Sequence, residues 1–354
     1  MRVMTSNKPI VRALNGQAGD EVPFWLMRQA GRYLPEYREV RAQAGGFLNL
    51  AFNPDLACEV TMQPLRRYGM DAAILFSDIL VVPMGLGQKL EFATGEGPVL
   101  DAIRVSADIP SFNADYFDSV INPVYETVRR VRSAMTSEGF TKTTLIGFAG
   151  SPWTVATYMV EGGSSRTFET VKDWAHTDLD SFAKLIAVIT EATIHYLRAQ
   201  IEAGAEVLQL FDSWAGALQG NDFTRWIIEP TRRIVEALNA THPHIPVIGF
   251  PRGAGGHYEA YLQQTKVTAL GLDQSVPLAQ AQDLQKQAPV QGLLNPETLL
   301  AGGDNLVQET QSILQALGDG PFIFNLGHGI IKETPPEHVL MLRELIRNQK
   351  REAA

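Results

Sequence analysis

The chain has 354 residues, 45% apolar and 19% charged, with 30 glycines and 20 prolines. That is a globular mixture with ample core material, and it excludes a collagen, a coiled coil and a disordered polyampholyte. A formal charge of -9 and a pI near 5.3 leave no global positive field for a nucleic-acid backbone or an anionic membrane, so an anionic ligand needs a local basic pocket.

The N-terminal stretch MRVMTSNKPIVRALNG interrupts its apolar residues with Ser, Asn, Lys, Pro and Arg, so no signal-peptide core is expected. Short apolar or β-branched runs then recur at 23–27, 72–76, 143–148, 206–211, 246–250, 269–272, 290–294 and 322–326. Such continuous runs suit strands buried on both faces, as in a parallel sheet. The run from Ala72 carries Asp78 and is closed by Pro83, too short and polar to span a bilayer. A helix is predicted from an Asp178/Ser181 cap to Gly204, with Phe182, Leu185, Ile186, Ile189, Thr193, Tyr196 and Leu197 at spacings of three and four. A second helix over 223–242 is interrupted by Pro230, and 295–317 holds two shorter ones. No linker, repeat or low-complexity run divides the chain, so residues 1–354 read as one domain. Eight strands alternating with helices predict an α/β fold, a (β/α)8 barrel, in a soluble, cytoplasmic protein.

Polar chemistry follows each run. Arg28 and Arg32 follow the first, Ser77 and Asp78 the second, Gly150 and Pro152 the third, and Asp212 and Ser213 the fourth. Pro251, Arg252 and Gly253 follow the fifth, Asp273 the sixth, Asn295 the seventh, and Gly327 and His328 the eighth. In a barrel these carboxyl ends share one face, where active sites are built.

Four arginines lie close together in MRQAGRYLPEYR. Arg28 and Arg32, four apart, would project from one face of a helical turn, with Gly31 letting the backbone approach a ligand. Their forks suit a polyacid, whereas Arg38 and Arg41 read as a solvated face paired with Glu36 and Glu39. Asp78, in an apolar frame, is costly to bury unless a cation or several N–H donors meet it. Ser213 lies outside a G-x-S-x-G elbow and reads as a hydrogen-bond donor. His328 between two glycines exposes an imidazole and nearby backbone N–H groups. Met84–Gly87 lacks the third glycine of a dinucleotide loop, and EGGSSR from Glu161 lacks the lysine of a phosphate loop. His242 and His244 read as a solvated turn. The single cysteine, Cys58, forbids an intrachain disulfide and a zinc site with two or more thiolates.

MRQAGRYLPEYR, LFSDILVVP, GFAGSPWTVATYMVEG, QLFDSWAG, GFPRG and NLGHGI run in order over nearly the whole chain. Together they resemble the uroporphyrinogen decarboxylase family of the heme pathway. The resemblance implies a (β/α)8 barrel in a head-to-head homodimer that removes CO2 from the four acetate side chains of uroporphyrinogen III, leaving the methyls of coproporphyrinogen III. It implies no metal, flavin or other cofactor. It also assigns substrate-binding positions to Arg28, Arg32, Asp78, Tyr158, Ser213 and His328, and catalytic roles to Arg28, Asp78 and Tyr158. Trp214 stands where some members have histidine, which removes a titratable proton from that position.

The residues point the same way. A substrate with eight carboxylates requires fixed cations, and four pyrrole N–H groups require one central acceptor, for which Asp78 is suited. A pyrrole acetate loses CO2 without a cofactor once the ring carbon is protonated, and an adjacent aspartate stabilises that cation. Arginine is a poor proton donor at a pKa above about 12, which leaves water or a substrate carboxyl as the other candidates. Two further readings stay open: a corrinoid or thiol methyltransferase on a related barrel, which needs a thiolate zinc site that Cys58 alone does not supply, and a non-catalytic tetrapyrrole carrier.

Overall fold

The computed structural model describes residues 6–93 and 97–349. Nine strands occur among them: β1 (Ala72–Ile74), β2 (Leu90–Ala93), β3 (Gly97–Leu100), β4 (Thr144–Gly150), β5 (Val207–Asp212), β6 (Val247–Pro251), β7 (Ala269–Leu272), β8 (Val290–Leu294) and β9 (Phe322–Leu326). Strands β1, β4, β5, β6, β7, β8 and β9 form one parallel sheet in that order. All residues of β4, β6, β7, β8 and β9 are buried. Helices cover one face and the curled sheet fills the other, so both faces demand apolar side chains.

The run at 23–27, expected as a strand, is not one. Phe24 makes a single parallel bridge to Phe324 of β9. Phe324 N–H donates to Pro23 C=O (2.8 Å), and Trp25 N–H to Phe324 C=O (3.3 Å). On the other side Asp71, just before β1, donates its N–H to Phe24 C=O (3.0 Å), and its carboxylate accepts the Phe24 N–H (2.8 Å). Pro23 has no N–H and the chain turns at Met27–Arg28, so no ladder extends here. The segment nevertheless occupies the eighth place and closes the ring. Arg347, on the helix Pro336–Asn348, binds the same Asp71 carboxylate at 2.8 Å, tying the last helix to the seam.

Inside the ring a buried polar chain replaces part of the apolar filling. The Trp25 indole donates to Gln291 (2.8 Å), whose amide donates to Gln209 (3.0 Å), linking the closing segment to β8 and β5. Between β1 and β4 the ladder ends early, since β1 has three residues. There the Gln200 side chain takes the place of a strand, accepting the Phe148 N–H (2.9 Å) and donating to the Phe148 C=O (3.0 Å). Gly147 makes the room: a Cβ there would lie 2.6 Å from Gln200 Oε1.

The long helix is Leu179–Ala203, capped by Asp178, whose side chain accepts the Ser181 N–H (3.1 Å), and ended at Gly204. Pro230 does not break its helix. A π-helical turn (Thr224–Ile228) runs into the α-helix Glu229–Thr241, where Pro230 occupies the first turn and needs no donor. The two helices expected over 295–317 are Pro296–Ala301 and Gly303–Leu317. The antiparallel hairpin β2–β3 was not expected from the sequence. Among the described residues no helix is long and apolar enough to cross a membrane.

Candidate active site

Arg28 and Arg32 do not share a helical turn. Both lie in turns before the helix Pro35–Ala44, which starts where Pro35 sets the first helical position. Arg28 has a left-handed backbone (φ 63), a conformation that costs a non-glycine residue free energy and is held by its surroundings. Those surroundings are the last strand's loop: Met27 N–H donates to the Asn325 side chain (3.0 Å), and Ile330 N–H donates to Met27 C=O (2.9 Å). The Arg28 side chain then lies over Gly329, where a Cβ would be 2.3 Å from its Cδ. The second glycine beside His328 is therefore space for the arginine. Gly31 likewise serves the turn and not a ligand, since a Cβ there would meet Arg28 C=O at 2.8 Å. Arg32 is exposed on the following turn, and its charge acts on Tyr37. Arg38 donates to the carbonyls of Arg32 and Tyr33 (2.8 and 3.2 Å) rather than pairing with acids. Glu36 pairs with Arg67 at 2.8 Å.

Asp78 is half-buried on the loop after β1. Its Oδ1 accepts the Leu80 N–H at 2.8 Å. Burial raises its pKa above the usual carboxylate range, against the Leu80 N–H and the Arg28 charge, which favour ionisation. An anion in this position is short of donors, and a ligand that brings N–H groups would supply them. Beside it an apolar wall of Leu80, Leu90 and Leu100, with Met84, Phe92 and Tyr158 packed on it, brings the hairpin to the mouth.

Tyr158 projects from the helix Pro152–Glu161 that follows β4. Its phenol is raised by burial and by the Asp78 charge, while donors from Trp214 and Ser164 and the Arg28 charge oppose the rise. Arg28, Asp78 and Tyr158 thus share one electrostatic neighbourhood, brought together from the closing segment, the loop after β1 and the helix after β4. Ser213 is half-buried on the turn after β5, beside Trp214, whose ring lies 6.3 Å from that of Tyr158. His328 is half-buried. Burial, with Arg28 and Arg252 nearby, lowers its pKa to about 3, so the imidazole is neutral at physiological pH.

Arg252 and Asp273 stood in the strand-end series but not among the chosen site residues, and the structure brings both beside His328. Asp273 holds the loop after β6 in place. It accepts the Gly253 N–H (2.6 Å), the Tyr258 hydroxyl (2.8 Å) and the Ser275 N–H (2.8 Å). These donors outweigh its burial and keep it below the usual range. Their sequence signal was position alone. Asp212, wholly buried, accepts the Thr154 hydroxyl at 2.6 Å, and burial pushes it up to about 7. Among the described residues no group of three or more His, Cys, Asp or Glu is gathered to hold a metal.

Fold and mouth define the class first: a (β/α)8-barrel enzyme with two arginines and one half-buried carboxylate gathered where the strands end. A family model described as uroporphyrinogen decarboxylase (URO-D) matches residues 5–349. The chain is 53% identical over 343 residues to the uroporphyrinogen decarboxylase of Rhodospirillum rubrum, covering 97% of each. It is 54% identical over 342 residues to that of Granulibacter bethesdensis, covering 96% of this chain and 99% of the relative. The chain belongs to the uroporphyrinogen decarboxylase family. A solved methyltransferase from Methanosarcina mazei shares the fold, with a TM-score of 0.78 at 21% identity over 95% of this chain and 96% of that one.

Proposed function

We infer that this chain decarboxylates the four acetate side chains of uroporphyrinogen III to methyls, producing coproporphyrinogen III in porphyrin biosynthesis. Family membership over nearly the whole chain carries the activity. The neighbourhood of Arg28, Asp78 and Tyr158 supports the mechanism. Asp78 accepts the pyrrole N–H groups, which supply the donors its burial leaves wanting. Arg28, with Arg32 and Arg252, binds carboxylates of the macrocycle; Tyr158, Ser213 and His328 offer hydrogen bonds around it. The neutral His328 adds no charge of its own. Protonation of a pyrrole carbon makes that ring cationic; the Cα–CO2 bond then breaks, and its electron pair neutralises the ring. Asp78 stabilises the cation more than the neutral ring, and only that difference accelerates the step. A second proton then converts the exocyclic methylene to methyl, and the ring carbon releases the first proton to restore the neutral pyrrole.

The reaction needs no metal or organic cofactor under this reading, and residues 1–354 work as one domain in a cytoplasmic homodimer with facing mouths, as the family resemblance suggests. Anaerobic incubation of chelator-treated, gel-filtered protein with uroporphyrinogen III tests it. Coproporphyrin on chromatography after oxidation is the expected result. Binding without turnover would make the protein a carrier, and turnover lost on chelation and restored by zinc or a flavin would refute the cofactor-free reading.

A further inference from the structure

The turn after β6 carries Arg252, whose backbone is held on both sides. Arg252 N–H donates to Asp212 C=O at the end of β5 (3.1 Å), and Arg252 C=O accepts the Gly216 N–H (3.0 Å). The next donor, Gly253 N–H, goes to the Asp273 carboxylate (2.6 Å). Both peptide planes that flank Arg252 are therefore tied, which fixes the direction of its side chain. The two turns meet this closely because Gly216 has no Cβ; one would lie 2.7 Å from Gly253 C=O. The direction is the mouth. Gln209 faces the barrel interior, where it binds Gln291, so Phe211, two residues on, faces inward, and Phe250 packs its ring on Phe211 at 6.0 Å. Alternation puts Arg252, two residues after Phe250, on the same inner side. There its half-buried guanidinium makes no hydrogen bond and no ion pair among the described residues. Asp273 has no place for it, since Oδ1 accepts the Ser275 N–H and hydroxyl, and Oδ2 the Gly253 N–H and the Tyr258 hydroxyl. Those donors fill the four acceptor positions of a carboxylate. In the ring order β6 stands four places from the closing segment in either direction, so Arg252 is rooted opposite Arg28 and across the mouth from the loop of Asp78.

We propose that Arg252 is a specificity-determining residue that holds a propionate of the macrocycle, and that Asp273 is its positioning residue. The inference rests on the decarboxylase reading above. The reacting ring lies at Asp78, so a carboxylate at Arg252 belongs to a different ring. Acetates are consumed one by one, and at the fourth step every other ring keeps only its propionate. A grip that serves all four steps is therefore a grip on a propionate. Substrate and product share the propionates and differ in the acetates, which gives the test. Arg252→Ala should raise KM for uroporphyrinogen III and the inhibition constant of coproporphyrinogen III by the same factor, about 10- to 100-fold, with Arg252→Lys a partial rescue. Asp273→Asn should weaken product binding in the parent but not in the Arg252→Ala background. Tyr258→Phe, which frees one Asp273 acceptor to compete for the guanidinium, repeats that cycle if Asp273→Asn does not fold. Equal losses in both backgrounds would overturn the role of Asp273. An Arg252→Ala variant that loses substrate affinity and keeps product affinity would overturn the propionate assignment, as would parent values for both. A parent protein that binds coproporphyrinogen III but turns nothing over would instead overturn the decarboxylase reading.

Discussion

Replacing Asp78 by asparagine separates its electrostatic work from its structural work. The loop contact is one hydrogen bond, Leu80 N–H to Oδ1 at 2.8 Å, and an asparagine oxygen accepts it equally well. Because burial raises the native pKa of Asp78, folded-state stability falls as pH rises from the unfolded value through that native value, and asparagine removes the loss. The variant should therefore melt no lower than the parent at pH 8. Catalysis should move the other way. A carboxylate about 4 Å from a cationic pyrrole, at an effective dielectric near 20, stabilises it by about 4 kcal/mol, which corresponds to about a thousandfold in kcat. Asparagine also turns an NH2 donor toward the pyrrole donors. The assay is the anaerobic rate with uroporphyrinogen III, beside product affinity and thermal melts. A variant that turns over at the parent rate would place the stabilising charge elsewhere. One that is inactive and melts far lower would make Asp78 a structural residue.

Gly329→Ala should mimic loss of Arg28, because the new Cβ would sit 2.3 Å from Arg28 Cδ; both it and Arg28→Ala should lower kcat/KM about 10- to 100-fold, with Arg28→Lys a partial rescue, and parent kinetics in Gly329→Ala would refute the packing argument. Asp212→Asn should stabilise the fold more at pH 8 than at pH 5. The Asp212 pKa rises from 3.8 to about 7, so parent stability falls as pH rises between those values, by up to about 4 kcal/mol; a pH-independent difference in denaturant unfolding would contradict this. Sedimentation should show about twice the chain mass of 38.9 kDa, and a fully active monomer on dilution would remove any need for a dimer.

The barrel was legible because strands buried on both faces leave continuous apolar runs, and β4 to β9 lie within or beside the runs read from the sequence. The segment at 23–27 carries the same composition, but Pro23 and the turn at Arg28 limit it to one bridge. The hairpin was missed because its strands are short and solvent-facing in part, with Val99 exposed, so they carry no buried run. Site residues at strand ends were legible from position. The backbone of Arg28 was not, since its left-handed turn is imposed by Asn325 and Ile330, about three hundred residues along the chain. The contact between Tyr158 and Trp214 is equally tertiary and leaves no mark on local spacing.

The closing seam has a consequence for biosynthesis of the chain itself. Phe24 and Arg28 emerge from the ribosome early, whereas their partners Phe324, Asn325 and Gly329 emerge almost last. The bridge at Phe24 closes a loop of about three hundred residues, and closures of that span are slow and late. A nascent chain can stack β1 and β4 through β8 while the first turn waits with its arginine unplaced. The mouth becomes competent only when translation is nearly complete, so truncation before Phe322 would yield a soluble-looking sheet with an open edge, prone to pairing with other chains.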